Sequence, residues 1–230
     1  FIVILTVPAL NITFFNFSFH DTPVFMSGKW SVVFTLLCLV GLQNAVNMAD
    51  GKNGLVMGLA QIWAILLMLY APTHLMPLLW ILSGTLGVTL LFNLNGRLFL
   101  GDSGSYAVSI AVGLLTIYVY QVKFVVLQAD AVALWFLIPV VDCLRLMATR
   151  MLQGSSPFSP DRNHLHHILL RLMGWKWALA TYFSLVAVPS FLAYAMPWAT
   201  LFWAATVLSV YVLIVATHVW GATQRGLPHI

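Results

Sequence analysis

Three short strings hold most of the chemically versatile side chains of this chain. The first reads Asn44-Ala45-Val46-Asn47-Met48-Ala49-Asp50-Gly51-Lys52-Asn53-Gly54-Leu55. Spacings of three set Asn44, Asn47 and Asp50 on one helical face, and Asp50-Gly51 and Asn53-Gly54 are turn signals that end the helix. Amides and a carboxylate at the end of an apolar run are costly unless they meet a polar cavity or a ligand. The second string, residues 92–105, carries Arg97 and the sequence Gly101-Asp102-Ser103-Gly104-Ser105. The glycines let backbone and carboxylate approach a ligand closely, and Ser103 or Ser105 is expected to cap the next helix. A helix N-terminus beside a carboxylate suits a phosphate bridged by a hard cation. No Gly-Lys-Ser/Thr follows, so the string is not a P-loop.

The third string runs from Arg150 to Arg171 and contains Ser159-Pro160-Asp161-Arg162-Asn163-His164-Leu165-His166-His167. Ser159 as N-cap, Pro160 at the first helical position and Asp161 in the first turn predict a helix start that puts His164 and His167 on one face. Three histidines in four residues raise zinc as a reading. With no thiolate nearby, zinc would still need a well-placed third ligand. Histidines gripping a pyrophosphate together with Arg150 or Arg162 explain the arginines as well.

The elements that must position these strings are membrane helices. The chain has 230 residues, 61% hydrophobic and 7% charged, against roughly a quarter charged in soluble domains, which excludes a water-facing globule. All acidic residues are aspartates (Asp21, Asp50, Asp102, Asp130, Asp142, Asp161) and glutamate is absent. Crossing a hydrocarbon layer of about 30 Å takes about 20 apolar residues. Seven stretches qualify, approximately Ser31–Ala45, Leu55–Ala71, Leu75–Phe92, Tyr106–Tyr120, Ala131–Met147, Trp177–Ala195 and Thr200–Val219. Phe1–Phe19, interrupted by Pro8, Asn11 and Asn16, reads as the end of a further span followed by a polar-flecked loop. The fold class is therefore all-α, a polytopic membrane protein of about seven full transmembrane helices plus one partial N-terminal span. No soluble domain fits between the spans, so residues 1–230 form one membrane domain with 148–176 as its longest loop.

Counting crossings puts Lys52, Arg97, Arg145, Arg150, Arg162, Arg171, Lys176 and Arg225 on one side, against Lys29 and Lys123 on the other. By the positive-inside rule the first side is cytoplasmic, and all three strings fall on it. Trp30, Trp135, Trp175, Trp177, Trp198 and Trp220 lie near span ends and are expected to anchor at the interfaces. Cys38 and Cys143 sit inside apolar runs, which favours buried packing over a disulfide or zinc. The net charge of +4 is scattered, with no basic helix or tail to indicate nucleic acid. Asp142 and Arg145 form a helical pair, expected to be a terminal salt bridge.

Taken together, the strings resemble the polyprenyl-phosphate N-acetylhexosamine-1-phosphate transferases. Asn-Ala-x-Asn-x-x-Asp-Gly-x-x-Gly-Leu matches residues 44–55, Phe-Leu-Gly-Asp-x-Gly-Ser matches 99–105, and Ser-Pro-Phe-Ser-Pro-Asp-Arg-x-His-x-His-His matches 156–167. The third string is more similar to the bacterial undecaprenyl-phosphate GlcNAc-1-phosphate transferase branch than to the muramoyl-pentapeptide branch. The resemblance implies transfer of N-acetylhexosamine-1-phosphate from a UDP-N-acetylhexosamine to polyprenyl phosphate with release of UMP, a first membrane step of cell-surface glycan synthesis. It places the protein in the bacterial inner membrane with its active site facing the cytoplasm. It further implies that Asp50 and Asp102 are catalytic and that Asn47 and Asp102 hold Mg²⁺, with Mn²⁺ as an alternative. Asn53 would lie near the uracil. Asn44, Arg97, Arg150, Arg162, His164, His166 and His167 would bind substrate, the last five at the diphosphate.

Two departures accompany the resemblance. Many bacterial relatives carry Asp where this chain has Asn53, although an amide also pairs with the donor and acceptor edge of uracil. The family's Asp-Asp pair at the cytoplasmic end of an earlier helix is missing, and the start inside an apolar run leads to the expectation that the pair and about three spans lie upstream of Phe1. The rival readings are a catalytically silent carrier-binding protein and a transporter, the latter expecting ionisable groups near mid-span. Oligomeric state is open, with a homodimer among the alternatives.

Overall fold

The computed structural model describes residues 2–26, 28–157 and 163–224. The chain runs α1 (Ile2–Thr6), β1 (Phe14–Phe17), β2 (His20–Phe25), α2 (Lys29–Ala49), α3 (Leu55–Tyr70), α4 (Met76–Leu94), α5 (Gly101–Lys123), α6 (Ala129–Leu152), α7 (Leu165–Met173), α8 (Trp175–Ala195) and α9 (Thr200–Gln224). All seven expected spans are helices. Those containing α2, α4, α5, α6, α8 and α9 are long and apolar enough to cross a membrane, while α3 has 16 residues, or about 24 Å at about 1.5 Å per residue. Eleven residues of α3 are buried because it packs against α4, α5 and α8. Shielded in this way, it need not match the lipid thickness.

The core runs through Trp63, Leu66 and Leu67 of α3, Trp135 and Ile138 of α6, and Tyr182 of α8. Trp135 is therefore not an interfacial anchor. It is 0% exposed because its ring faces α3, where it packs against Tyr70, and Pro139 lies one turn further along α6. A proline has no N–H to return to the carbonyl four residues earlier. The Trp63 indole N–H donates to that Trp135 carbonyl at 2.9 Å instead, tying α3 to α6. Trp30, Trp177, Trp198 and Trp220 are exposed on the perimeter, as anchors should be. Cys143 is buried but Cys38 is exposed, because an apolar side chain on a membrane helix can face lipid as readily as protein.

The N-terminal segment is more ordered than a loop. After α1 it forms the antiparallel ribbon β1–β2, with Phe14 opposite Phe25 and Phe17 opposite His20. The ribbon is held at the end of the bundle where α5 passes into α6. There the Asn16 N–H donates to Tyr120 Oη at 2.9 Å and the Ser18 N–H to Asp130 Oδ1 at 3.0 Å, while Phe14 meets Phe124 edge to face. Pro23 is tolerated in β2 because a two-stranded ribbon has only edge strands. The three polar strings lie at the other end.

Candidate active site

The first string folds as its turn signals require. α2 ends at Ala49, Asp50 caps it with its N–H on the Asn47 carbonyl at 3.1 Å, and α3 begins after Gly54, whose φ of +92° favours glycine. The second string departs from expectation at its helix start. Neither Ser103 nor Ser105 is the cap, because Gly101, with φ +62°, turns the chain directly into α5 and leaves Asp102 in the first turn. Ser105 Oγ instead donates to the Asp102 carbonyl at 3.0 Å.

These two helix ends meet. The Asn47 amide donates to Asp102 Oδ1 at 3.1 Å and to Ser105 Oγ at 3.0 Å. Among the described residues, neither Asn47 Oδ1 nor Asp102 Oδ2 has a hydrogen-bond partner. Asp50 lies close enough that burial, and then the negative charge of Asp102, raise its pKa from its ordinary value. Asn44 does not join the group; its amide donates back to the Val40 carbonyl at 2.7 Å. Arg97 is exposed on the turn between α4 and α5.

Asn93, not singled out in the sequence, clamps the two strings. It is 5% exposed, accepts the Gly54 N–H on Oδ1 and donates to the Leu98 carbonyl at 2.7 Å. The signal available was an amide inside an otherwise apolar helix end. Trp175 is a second such tie, its indole N–H donating to the Asn53 carbonyl at 3.1 Å. The Asn53 side chain lies beside Gly96, between the first two strings.

In the third string, Arg162 and the expected start at Ser159-Pro160-Asp161 lie outside the described residues. The helix carrying the histidines, α7, starts at Leu165 with His164 as its N-cap. His164 therefore precedes the helix instead of sharing a helical face with His167. The cause is a carboxylate from another helix: Asp142 Oδ2 accepts the Leu165 N–H at 3.0 Å and contacts His164 Nδ1 at 3.1 Å. Its other oxygen takes Arg145 Nη2 at 2.8 Å and the Tyr211 hydroxyl at 3.0 Å. Arg145 also donates through Nε to Tyr211 Oη at 2.7 Å and through Nη2 to the Asn163 carbonyl at 2.6 Å. The expected Asp142–Arg145 ion pair is present, but as the centre of a network joining α6, α7 and α9. Arg150 is buried and donates through Nη1 to the Pro157 carbonyl at 2.6 Å, which anchors the loop that follows α6.

The three imidazoles form a row. His164 and His166 stack at 5.4 Å between centroids, and His166 and His167 lie 4.3 Å apart. His166 is 2% exposed, and among the described residues its Nε2 lacks a hydrogen-bond partner. Burial, the neighbouring His167 and His164, and Lys52 hold its pKa down to about 3, against a weaker opposing pull from Asp142. The ring fills the space beside Gly51, where a Cβ would collide with Nε2 and lie 3.1 Å from Cε1. All three strings thus converge: Asn47 on Asp102, Asn93 and Trp175 on the first turn, and His166 on Gly51.

A model described as glycosyl transferase family 4 matches residues 1–120. Over 163 residues the chain is 33% identical to the undecaprenyl-phosphate alpha-N-acetylglucosaminyl 1-phosphate transferase of Yersinia pestis, covering 63% of this chain and 42% of that protein. It is 31% identical over 164 residues to the protein of the same name in Escherichia coli (strain K12), covering 64% and 44% of the two chains. A probable undecaprenyl-phosphate N-acetylglucosaminyl 1-phosphate transferase of Bacillus subtilis (strain 168) is 30% identical over 179 residues, covering 73% and 48%. The aligned regions span less than half the length of each of these relatives.

Proposed function

The chain belongs to glycosyl transferase family 4, and from that premise we propose that it takes part in moving N-acetylglucosamine-1-phosphate from UDP-N-acetylglucosamine to undecaprenyl phosphate. An oxygen of the lipid phosphate attacks the β-phosphorus, the bond between that phosphorus and the bridging oxygen breaks, and UMP leaves. The observation that carries this reading is the meeting of the Asn47–Asp102 pair, the Asp50 turn and the histidine row at one end of a membrane bundle.

Both substrates are anionic, so the site must offset charge and hold the reacting atoms in line. Asn47 Oδ1 and Asp102 Oδ2 are hard oxygen donors beside a second carboxylate, Asp50, whose pKa is raised by burial and then by the negative charge of Asp102. Mg²⁺ is bound in such sites by one or two protein oxygens together with substrate phosphates, so the residues fit the ion, and Mn²⁺ has the same donor preference. When bound there, the ion neutralises charge on the diphosphate. Arg150 and the histidines lie on the segment that would face the nucleotide diphosphate, with Arg162 outside the described residues, and Asn53 would meet the uracil through its amide. Asn44 and Arg97 stand at the margin of this group and would act on substrate only from outside the Asn47–Asp102 pair.

The membrane setting follows from the acceptor. A long isoprenoid stays in lipid while its phosphate meets a soluble nucleotide at the surface. The basic residues on the site end orient that end to the cytoplasm, in bacteria the cytoplasmic face of the inner membrane.

The test is transfer from radiolabelled UDP-N-acetylglucosamine in membranes containing the chain and undecaprenyl phosphate. Divalent-cation-dependent appearance of lipid-extractable label, abolished in Asp102→Ala with the protein still folded, supports the reading. Retained turnover in Asp102→Ala would refute the role given to Asp102.

A further inference from the structure

The network around Asp142 lies behind the candidate site and is absorbed by none of the roles above. Asp142 is 3% exposed and engages four groups from three helices: Arg145 Nη2 and Tyr211 Oη on Oδ1, and His164 Nδ1 and the Leu165 N–H on Oδ2. A salt bridge at a helix end needs none of the last three. We infer that Asp142 is a positioning residue for the site: braced by Arg145 and Tyr211, it fixes His164 as the Nδ1–H tautomer and seats the first turn of α7, so that the histidine row meets the Asp50-Gly51 turn.

A carboxylate that already accepts from a guanidinium, a phenol and a backbone amide is an acceptor toward its fourth neighbour too, so the proton in the 3.1 Å contact with His164 belongs to Nδ1. Nε2 of His164 is then the lone-pair nitrogen, and it has no hydrogen-bond partner among the described residues. A partner that holds one imidazole nitrogen sets the chemistry of the other. From His164 the constraint passes by stacking to His166, and from His166 by close contact to Gly51, next to Asp50. The Leu165 N–H on the same oxygen stops the first turn of α7 from swinging away. Asp142 is therefore assigned no contact with substrate and acts through His164 and the first turn of α7.

The rate effects rest on the transferase reading, whereas the tautomer does not. Two measurements keep them apart. With ring-¹⁵N histidine in the membrane-embedded chain at mildly alkaline pH, and His164→Gln to assign the resonance, His164 is expected to show a protonated Nδ1 and a bare Nε2. In Asp142→Asn it reverts to the Nε2–H form that free imidazole prefers. A wild-type His164 with its proton on Nε2 overturns the proposal, whatever the activity. In the transfer assay, Asp142→Asn lowers kcat by about 10–100-fold, the range for orienting partners, and leaves KM for the nucleotide sugar nearly unchanged. Tyr211→Phe, which keeps Arg145 and Leu165 on the carboxylate, lowers kcat by about fivefold, one hydrogen bond's worth. In a His164→Gln background Tyr211→Phe lowers the rate no further, and Asp142→Asn lowers it by less than in the wild type, only by what the Leu165 N–H tie carries. Losses of the same size in that background, or losses confined to KM, would overturn the proposal. Absence of transfer by the full-length wild-type protein would sink the transferase reading, and the ¹⁵N spectrum would still decide the tautomer.

Discussion

Gly51→Ala probes the closest approach between the first string and the histidine row. The added methyl would collide with Nε2 of His166 and lie 3.1 Å from Cε1, where carbon contacts settle at about 3.5–4.0 Å. Ring and turn must therefore separate by about 1 Å. Neither side yields easily: His166 is 2% exposed and flanked by His164 and His167, and the turn is tied through Gly54 to Asn93. Overpacking of this kind costs about 1–3 kcal/mol. At about 2–4 °C per kcal/mol for a chain of this size, the midpoint of thermal unfolding in lipid nanodiscs should fall by about 2–12 °C. Gly84→Ala is the control, since nothing lies within 4 Å of its Cβ position and alanine is the better helix former; it should hold or slightly raise the midpoint. In a His166→Ala background the Gly51→Ala penalty should vanish. An equal penalty with and without the ring would show that the turn, not the imidazole, resists the methyl, and the proposed contact between the two loops would fall.

Other substitutions test the remaining ties. Asn93→Ala strands the Gly54 N–H and the Leu98 carbonyl, each costing about 1–3 kcal/mol when left unpaired; the unfolding midpoint should drop and KM for the nucleotide sugar should rise, and an unchanged KM would mean that the clamp does not shape the site. His166 is held neutral, with a pKa near 3 against 6.5 for the free side chain. Stability from its neutral form is thus complete above about pH 6.5 and is lost as pH falls toward 3, by up to about 1.4 kcal/mol per pH unit. His166→Phe should flatten that acid slope in a series of thermal melts, and an unaltered slope would place the titration elsewhere. Trp63→Phe removes the donor to the Trp135 carbonyl left open by Pro139, for a loss of about 1–3 kcal/mol in the same melts; in a variant that also carries Pro139→Ala, whose restored N–H refills the carbonyl, the loss should shrink.

The helices were legible because lipid imposes a length and a composition that few other solvents impose. The chemistry was legible because polar residues stand out at the ends of apolar runs, which located Asn47, Asp50, Asp102 and the histidines. Other features escaped for physical reasons. Cys38 and Trp135 show that an apolar neighbourhood in a membrane protein does not tell the lipid face from the core. The start of α7 at Leu165 depends on Asp142, 23 residues earlier in the chain, so local capping signals could not locate it. Tyr211 is 69 residues from Asp142, and nothing in the spacing joins them. Asn93 looked like one of several loop amides, and only the packed structure shows it bridging Gly54 and Leu98. The ribbon of residues 14–25 was hidden by Pro23 and by adjacent phenylalanines that break the alternation of a strand.

In the proposed reaction this site passes a sugar phosphate, not a sugar or an intact nucleotide, to a lipid. Two preparations of UDP-N-acetylglucosamine, one carrying ³²P in the β-phosphate and one in the α-phosphate, separate these outcomes in membranes containing the chain and undecaprenyl phosphate. The proposed transfer puts β-label in the lipid extract and releases α-label as UMP, both lost in Asp102→Ala. β-Label left wholly in the aqueous phase, or α-label travelling with the lipid, would contradict it.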